Sequence, residues 1–300
     1  MSQEFFSGSK LRALLGIKLG VLFQHAPRSY NLAVPSVSGT SVLELPSISI
    51  VTPSYNQGQF IERTVRSVLD QGYSNLEMIV QDNCSADNTD AVMRSIKSRS
   101  VRYFRERDGG QADAINRGFE KTAGEIMCYL NSDDVLMPGT LDRVGRFFAD
   151  HPEVDVLYGN RLIIDETDAL VGEWVLPYHD GELLRRVDYV PQETLFWRRS
   201  LWSRAGGRVD DKLAFAMDWD LLLRFAEADA RFVHLPDFLG GFRVHAAQKT
   251  SSHYQKIGVH EMRIIRNRYA PRAFGKAFMP IRHCLFLLKH IYSTRNGGLR

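Results

Sequence analysis

Between residues 47 and 130, short apolar runs alternate with segments of helical periodicity, one pair to about every 25–30 residues. The apolar runs are Ser47–Thr52, Leu76–Val80, Val101–Phe104 and Glu125–Leu130. Between them, Ile61, Val65, Val68 and Leu69 recur at helical spacing. Ala91, Val92 and Ile96 mark a second helix with Asp87 as its expected N-cap, and Ala112–Lys121 a third. This alternation is the pattern of βαβ units on a mostly parallel sheet. Right-handed crossovers then bring the strand C-termini to one edge, where open α/β sheets bind ligands. Three polar segments directly follow strands: Thr52-Pro53-Ser54-Tyr55, Asp82-Asn83 and Asn131-Ser132-Asp133-Asp134. They are expected to meet in one crevice.

The second half is less regular. Val154–Ile164 and Leu170–Leu176 read as strands around a turn, and Leu195–Trp197 as another strand. Met217–Ala228 reads as a helix with Leu221, Leu222 and Phe225 on its apolar face. Phe232–Leu235 and Gly241–Val244 read as two short strands, and Tyr254 onward as helix broken near Pro271 and Pro280. At the other end, Leu11–Phe23 is an apolar stretch interrupted by Lys18, an amphipathic helix rather than a signal peptide. Pro35–Ser41 is small and polar, a linker. The expected organisation is an N-terminal helix and linker (1–45), a main α/β domain (46–250, with halves 46–137 and 138–250) and a helical extension (251–300).

With 44% hydrophobic and 24% charged residues, the chain is neither disordered nor collagen-like. Its three cysteines are far apart, which implies no disulfide framework and suits a reducing compartment. No apolar run approaches the roughly 20 residues needed to span a bilayer, so a cytoplasmic protein is expected. A net charge of +3 argues against a nucleic-acid binder, but the mean hides an asymmetry. Residues 251–300 hold ten Lys/Arg against one acid, Glu261, so a +9 tail follows a −6 body.

The acidic run Asn131–Asp134 would place hard oxygen ligands at the crevice, as Mn²⁺ or Mg²⁺ requires when it is shared with substrate phosphates. The same run also reads as an Asx-rich turn capping a helix that starts near Pro138, and one loop can do both. Asp218 and Asp220 open a helix: they either complement its dipole or include a general base. His245, two residues after Arg243 and a short strand, is a candidate for phosphate or metal contact, or a structural histidine. Gly109–Asn116 is a glycine turn opening a helix, whose N-terminus attracts anions. There is no Walker loop, and Thr52–Gly58 is not a G-x-G-x-x-G turn.

Five blocks stand in order: Ser49–Asn56, Gln81–Thr89, Gly110–Phe119 with Gly124–Ile126, Leu130–Asp134, and Met217–Leu221. Together they resemble the family 2 glycosyltransferases over about Pro46 to Lys249. The resemblance implies a GT-A fold: a mostly parallel central sheet flanked by helices, a nucleotide-sugar half followed by an acceptor half, here with N- and C-terminal helical additions. It also implies roles. Thr52, Pro53 and Tyr55 would line the nucleotide pocket, with Asp82 and Asn83 at the base edge and Gln111, Asp113 and Asn116 nearby. Asn131-Ser132-Asp133 matches the Asp-x-Asp metal motif with Asn in first place. That makes Asp133 the principal metal ligand and leaves Asn131 and Ser132 as donor contacts. Asp218 matches the catalytic base, with Met217 where Glu is common. Arg243 and His245 match a segment that closes over the diphosphate, the His joining the metal.

The implied reaction is metal-dependent, inverting transfer of one sugar from a nucleotide-sugar, a UDP-sugar by family frequency, to an acceptor hydroxyl. The setting would be cell-surface polysaccharide or glycolipid synthesis. Processive members carry membrane helices and a Gln-x-x-Arg-Trp motif; no Arg-Trp dipeptide occurs here, which favours single transfer. The acceptor would be a glycan or lipid-linked glycan. Trp197, Arg198 and Trp219 are candidates for its site, with Arg199 and Trp202 beside them, against a reading of them as core Trp and surface Arg. Phe278, Ile281, Leu285, Leu288 and Ile291, flanked by Arg282, Lys289 and Arg295, would either lie on an anionic membrane at the cytoplasmic face or pack on the body. Two other classes stay open: a sugar nucleotidyltransferase, which would want a basic Gly-rich loop after the first strand, and a non-catalytic glycan-binding protein with the same fold.

Overall fold

The computed structural model describes residues 25–30, 44–246, 248, 257–269 and 273–297, with side chains in the last helix from 281 to 293. The expected N-terminal helix and the linker lie outside the described residues.

The first half alternates as the sequence predicts. β1 (Ile48–Ser54), α1 (Ile61–Leu69), β2 (Leu76–Asp82), α2 (Thr89–Ser95), β3 (Val101–Arg105), α3 (Gln111–Glu120) and β4 (Ile126–Tyr129) follow one another. β1 pairs in parallel with β2 and β4, and β2 with β3. Both faces of this parallel core are covered, so the strands are nearly continuous apolar runs. Alternate side chains enter two different clusters. Ile48, Ile50, Met78, Val80, Ile126 and Cys128 face one layer, while Val51, Ile79, Met127 and Tyr129 face the other. The α3 helix lies so close to β1 that a Cβ at Gly118 would fall 2.3 Å from Val51 Cγ1. That approach explains a helix-interior glycine, which otherwise costs about 1 kcal/mol.

After β5 (Val135–Leu136) come α4 (Thr140–Asp150), β6 (Val156–Ile164), β7 (Leu170–Trp174), the short α5 (Gly181–Leu184) and a 3-10 turn at Gln192–Thr194. Then follow β8 (Phe196–Arg198), α6 (Arg199–Arg204), α7 (Met217–Glu227), β9 (Phe232–Arg243), α8 (Val259–Arg268) and α9 (Ala273–Gly297). Among the described residues the strands form one sheet, ordered β3-β2-β1-β4-β8-β6-β9-β5, with β7 on β6. Its first half is parallel. Its second half is mixed: β8 is antiparallel to β4 and β6, whereas β9 is parallel to β6. The sheet is continuous across the expected boundary at residues 137/138, because β5 pairs with β9.

Three local expectations change. The two short strands at 232–235 and 241–244 are one 12-residue strand, β9. Its register against β6 shifts where Tyr158 faces His234 and Asn160 faces Phe238, so Pro236 falls in the irregularity. A bulge tolerates the missing amide donor. Second, α9 continues through Pro280 rather than breaking there. Proline keeps a helical φ and removes one backbone bond. Docking of the following segment, with Phe286 and Leu287 buried, offsets that loss. Third, Asn131–Asp134 does not cap the helix after Pro138, because β5 intervenes and Gly139 is the N-cap of α4.

Candidate active site

The C-terminal ends of β1, β2 and β4 form the expected edge. At the end of β1, Thr52, Pro53 and Ser54 are buried. Thr52 Oγ1 and Ser54 Oγ have no hydrogen-bond partner among the described residues. Tyr55 follows, 60% exposed. At the end of β2, buried Asp82 accepts from Ser85 N at 2.9 Å, from Ser85 Oγ and from Tyr103 O–H at 3.3 Å. Asn83 Oδ1 accepts from Asp108 N at 3.0 Å.

The loop after β4 is tied from several directions. Gln111 Nε2 donates to Asn131 Oδ1 at 2.7 Å, and Asn131 Nδ2 donates to Gln192 Oε1 at 3.1 Å and Asp134 Oδ2 at 3.2 Å. Thr64 Oγ1 lies 2.9 and 2.7 Å from the carbonyl oxygens of Ser132 and Asp134. Ser132 is buried. The β9 end closes over this loop. Arg243 N donates to Asp134 Oδ1 at 3.0 Å, and Arg243 Nε donates to the Asp133 carbonyl at 2.7 Å. His245 Nε2 lies 3.0 Å from Asp133 Oδ2. Both Asp134 oxygens therefore meet protein donors, which makes it a scaffold for the loop. Burial, then Asp133, then Glu193 push its carboxyl well above the ordinary range. Asp133 keeps a partly exposed carboxylate, and His245 Nδ1 is buried without a partner among the described residues.

Among the described residues, no three His, Cys, Asp or Glu side chains converge to hold a metal. Asp133 and His245 supply one hard oxygen and one imidazole nitrogen. That donor set fits an ion whose other ligands come from a bound diphosphate and water. Arg243 is buried and Phe60 lies under it, with the ring centroid 5.1 Å from Cζ. Its Nη1 donates to the Asp165 carbonyl at 2.8 Å and pairs with Asp168, while Nη2 has no partner among the described residues.

Asp218 is the second residue of α7 and accepts from Trp219 N at 2.8 Å. Burial pushes its carboxyl above the usual range, while that hydrogen bond and the Arg161 charge act against the rise. Asp188 beside it is pushed well above its usual range by burial and then by the Asp218 charge. Arg161 holds Glu193 through two 2.7 Å bonds, Nε to Oε1 and Nη2 to Oε2. This pair acts electrostatically on Asp134 at the acidic loop and on Asp218 at α7. Its charges are thus felt both at the acidic loop and at the start of α7. The Pro191-Gln192-Glu193-Thr194 segment was not singled out in the sequence. Its signal is three polar residues, Gln192, Glu193 and Thr194, just before a buried strand.

Five expected contacts are corrected. Trp197 and Trp219 are fully buried, in a core cluster of α3, α6 and α7 side chains. Trp219 Nε1 donates to the Leu184 carbonyl at 2.7 Å. Neither can face an acceptor. Arg198 pairs with Glu125 at 2.6 Å and donates to carbonyls of Val154, Phe148 and His151, at the opposite edge of the sheet. Asn116 is spent on Val209, exchanging bonds of 3.0 and 2.8 Å with its backbone. Asp113 caps its own helix through Gly109 N and pairs with Arg117, both at 2.8 Å.

Residues 49–244 match the family model described as Glycosyl transferase family 2. The O-antigen biosynthesis protein RfbC of Myxococcus xanthus is 29% identical over 211 residues, which is 69% of this chain and 16% of that protein. The chain thus spans well under two thirds of that relative. S. aureus TarS 1-349 in complex with UDP-GlcNAc has a similar fold, with a TM-score of 0.62 at 19% identity over 84% of this chain and 74% of that one. The mannosyltransferase PcManGT from Pyrobaculum calidifontis, in complex with GDP-Man and Mn²⁺, has a TM-score of 0.57 at 19% identity, covering 84% and 75%.

Proposed function

The chain belongs to glycosyl transferase family 2, and from that premise we propose that it transfers one sugar from a nucleotide-sugar to an acceptor hydroxyl with inversion. The carrying observation is the joint between the acidic loop and the end of β9, where Asp133 meets His245 and buried Arg243 Nη2 and His245 Nδ1 lack partners among the described residues, as Thr52 Oγ1 and Ser54 Oγ do at the end of β1. Buried polar groups are costly unless hydrogen-bonded. A crevice with several of them beside a carboxylate is matched to a polar, phosphate-bearing ligand.

In this reading the donor nucleotide lies across the ends of β1 and β2, with Asn83 near its base and Asn131 near its ribose. Asp133 and His245 hold Mn²⁺ or Mg²⁺, and when bound the ion offsets charge on the departing diphosphate. Arg243 Nη2 donates toward the phosphates. Asp218 accepts the proton of the acceptor hydroxyl as its oxygen bonds to the anomeric carbon. The bond from that carbon to the diphosphate breaks on the opposite face, which inverts the configuration. UDP is the donor nucleotide we propose, in line with the complex of TarS with UDP-GlcNAc. Polysaccharide or glycolipid synthesis is the setting, in line with the name of RfbC. A screen of sugar nucleotides with Mn²⁺ tests the reading. Release of nucleoside diphosphate from one donor is the expected result. Pyrophosphate production from a nucleoside triphosphate and a sugar phosphate would favour nucleotidyl transfer instead. No turnover of any donor would favour the glycan-binding alternative.

Among the described residues no helix is long and apolar enough to cross a membrane. A lipid-linked acceptor instead calls for a surface that lies on the cytoplasmic face of a bilayer, and α9 offers one. Ile281, Leu285, Leu288 and Tyr292 are 60%, 52%, 51% and 71% exposed, and their spacing places them on one face of the helix. The inner side is docked: Phe286 is buried, Arg282 pairs with Asp180 at 2.6 Å, and Lys289 Nζ lies 4.7 Å from the Tyr178 ring centroid. An apolar stripe on a strongly basic extension matches an anionic lipid surface. Wild-type protein is expected to pellet with vesicles containing phosphatidylglycerol and not with neutral ones. The double variant Leu285→Glu/Leu288→Glu is expected to stay in solution. Equal pelleting of both proteins would remove the stripe from this role.

A further inference from the structure

Glu261 is the one acid among residues 251–300. It is buried on α8, and its carboxylate accepts from three consecutive backbone amides. Ala214 N donates to Oε1 at 2.8 Å, and Phe215 N and Ala216 N donate to Oε2 at 2.8 and 2.9 Å. Ala216 is the N-cap of α7 and makes no side-chain cap. The turn that leads into that helix, including its N-cap amide, is therefore held by a carboxylate from another part of the chain. Converging amides of this kind form a nest for an anion, and here the anion is built in. A second tie fixes the same turn. Asp220 Oδ1 accepts from Arg268 Nη1 at 2.9 Å and from Tyr269 O–H at 3.2 Å. Ile265 of α8 is fully buried in the cluster that includes Trp219. Asp218 sits between these two anchors, two residues beyond the last clamped amide.

We propose that Glu261 is a positioning residue for sugar transfer, holding the first turn of α7 so that Asp218 meets the acceptor hydroxyl. The proposal rests on Asp218 being the base. It gives the extension a part in the chemistry that its net charge conceals, because its one acid is among the residues that tie it to the start of α7. Glutamine at 261 keeps the shape but loses the charge and one acceptor oxygen, which leaves the nest incompletely filled.

The test compares Glu261→Gln with Ile265→Val, which loosens the packing of α8 without touching the carboxylate. Turnover is normalised to the number of sites that bind UDP, so that unfolded protein does not count. For Glu261→Gln we expect a loss of roughly 10- to 100-fold, the size that a misplacement of about 1 Å produces. UDP affinity is expected to be unchanged, because β1, β2 and the 131–134 loop do not depend on the clamp. Ile265→Val is expected to turn over like wild type per site. Wild-type turnover in Glu261→Gln would overturn the proposal, as would equal losses in both variants. Asp218→Asn run alongside separates the two readings. If it is inactive while Glu261→Gln is normal, the positioning role alone falls. If it is fully active, the base assignment and the positioning role fall together.

Discussion

Asp218→Asn is expected to lower turnover by about 10²–10⁴-fold, the usual contribution of a positioned general base, with donor affinity retained. The substitution is nearly isosteric. The amide oxygen can still accept from Trp219 N, as Asp218 Oδ1 does at 2.8 Å, so the first turn of α7 should survive. What is lost is the capacity to take a proton. The surroundings also set a pH dependence. Burial raises the Asp218 carboxyl, Glu193 adds to the rise, and Arg161 acts against it. The base must be ionised to work, so activity should fall on acidification at a higher pH than an ordinary aspartate would give. Asp188 is half-buried beside it, and its own rise is driven partly by the Asp218 charge. Asp188→Asn should therefore leave the acidic limb in place, since Asp188 is held above Asp218 and carries no charge where Asp218 takes up its proton. A pH–rate profile of the three proteins, with donor binding measured separately, checks both expectations. Wild-type turnover in Asp218→Asn would remove it from the role.

The edge formed by β1, β2 and β4 was legible because parallel pairing leaves little choice. Once β1, β2 and β4 are strands joined by helices, their C-termini share an edge, and Thr52, Asp82 and Asn131 arrive there together. The same inference misplaced Trp197 and Arg198. They also end a strand, but β8 runs antiparallel to β4, so they pair with Met127 and Ile126 at the start of that strand. The site instead receives what precedes β8, namely Gln192 and Glu193. Strand direction in the second half depends on long-range pairing that no local periodicity encodes. The expected split of β9 into two strands fails for a related reason: only the register shift against β6 accommodates Pro236 within one strand. The clamp from Glu261 crosses 45 residues to Ala216, and in the sequence it shows only as a lone acid in a basic tail.

Asp133→Ala is expected to abolish the response to Mn²⁺ and to lower turnover by about 10²-fold or more, as the loss of several kcal/mol of charge stabilisation implies. The neighbouring acid cannot take over. Asp134 is buried, with Arg243 N on one oxygen and Asn131 Nδ2 on the other. Turning it toward an ion would strand the Arg243 amide in the interior, at a cost of about 1–3 kcal/mol, while Asn131 Nδ2 would keep Gln192. His245 would remain, but a single imidazole leaves a divalent ion held almost wholly by the ligand and water. The distinction is measurable without turnover. In wild-type protein, Mn²⁺ should strengthen UDP binding in a calorimetric titration. In Asp133→Ala that increment should vanish while the metal-free affinity stays, since Thr52, Asn83 and Asn131 are untouched. His245→Ala should weaken the increment without removing it, because the carboxylate is the harder ligand. A metal-dependent rate in Asp133→Ala, or an undiminished Mn²⁺ increment, would move the ion to other residues.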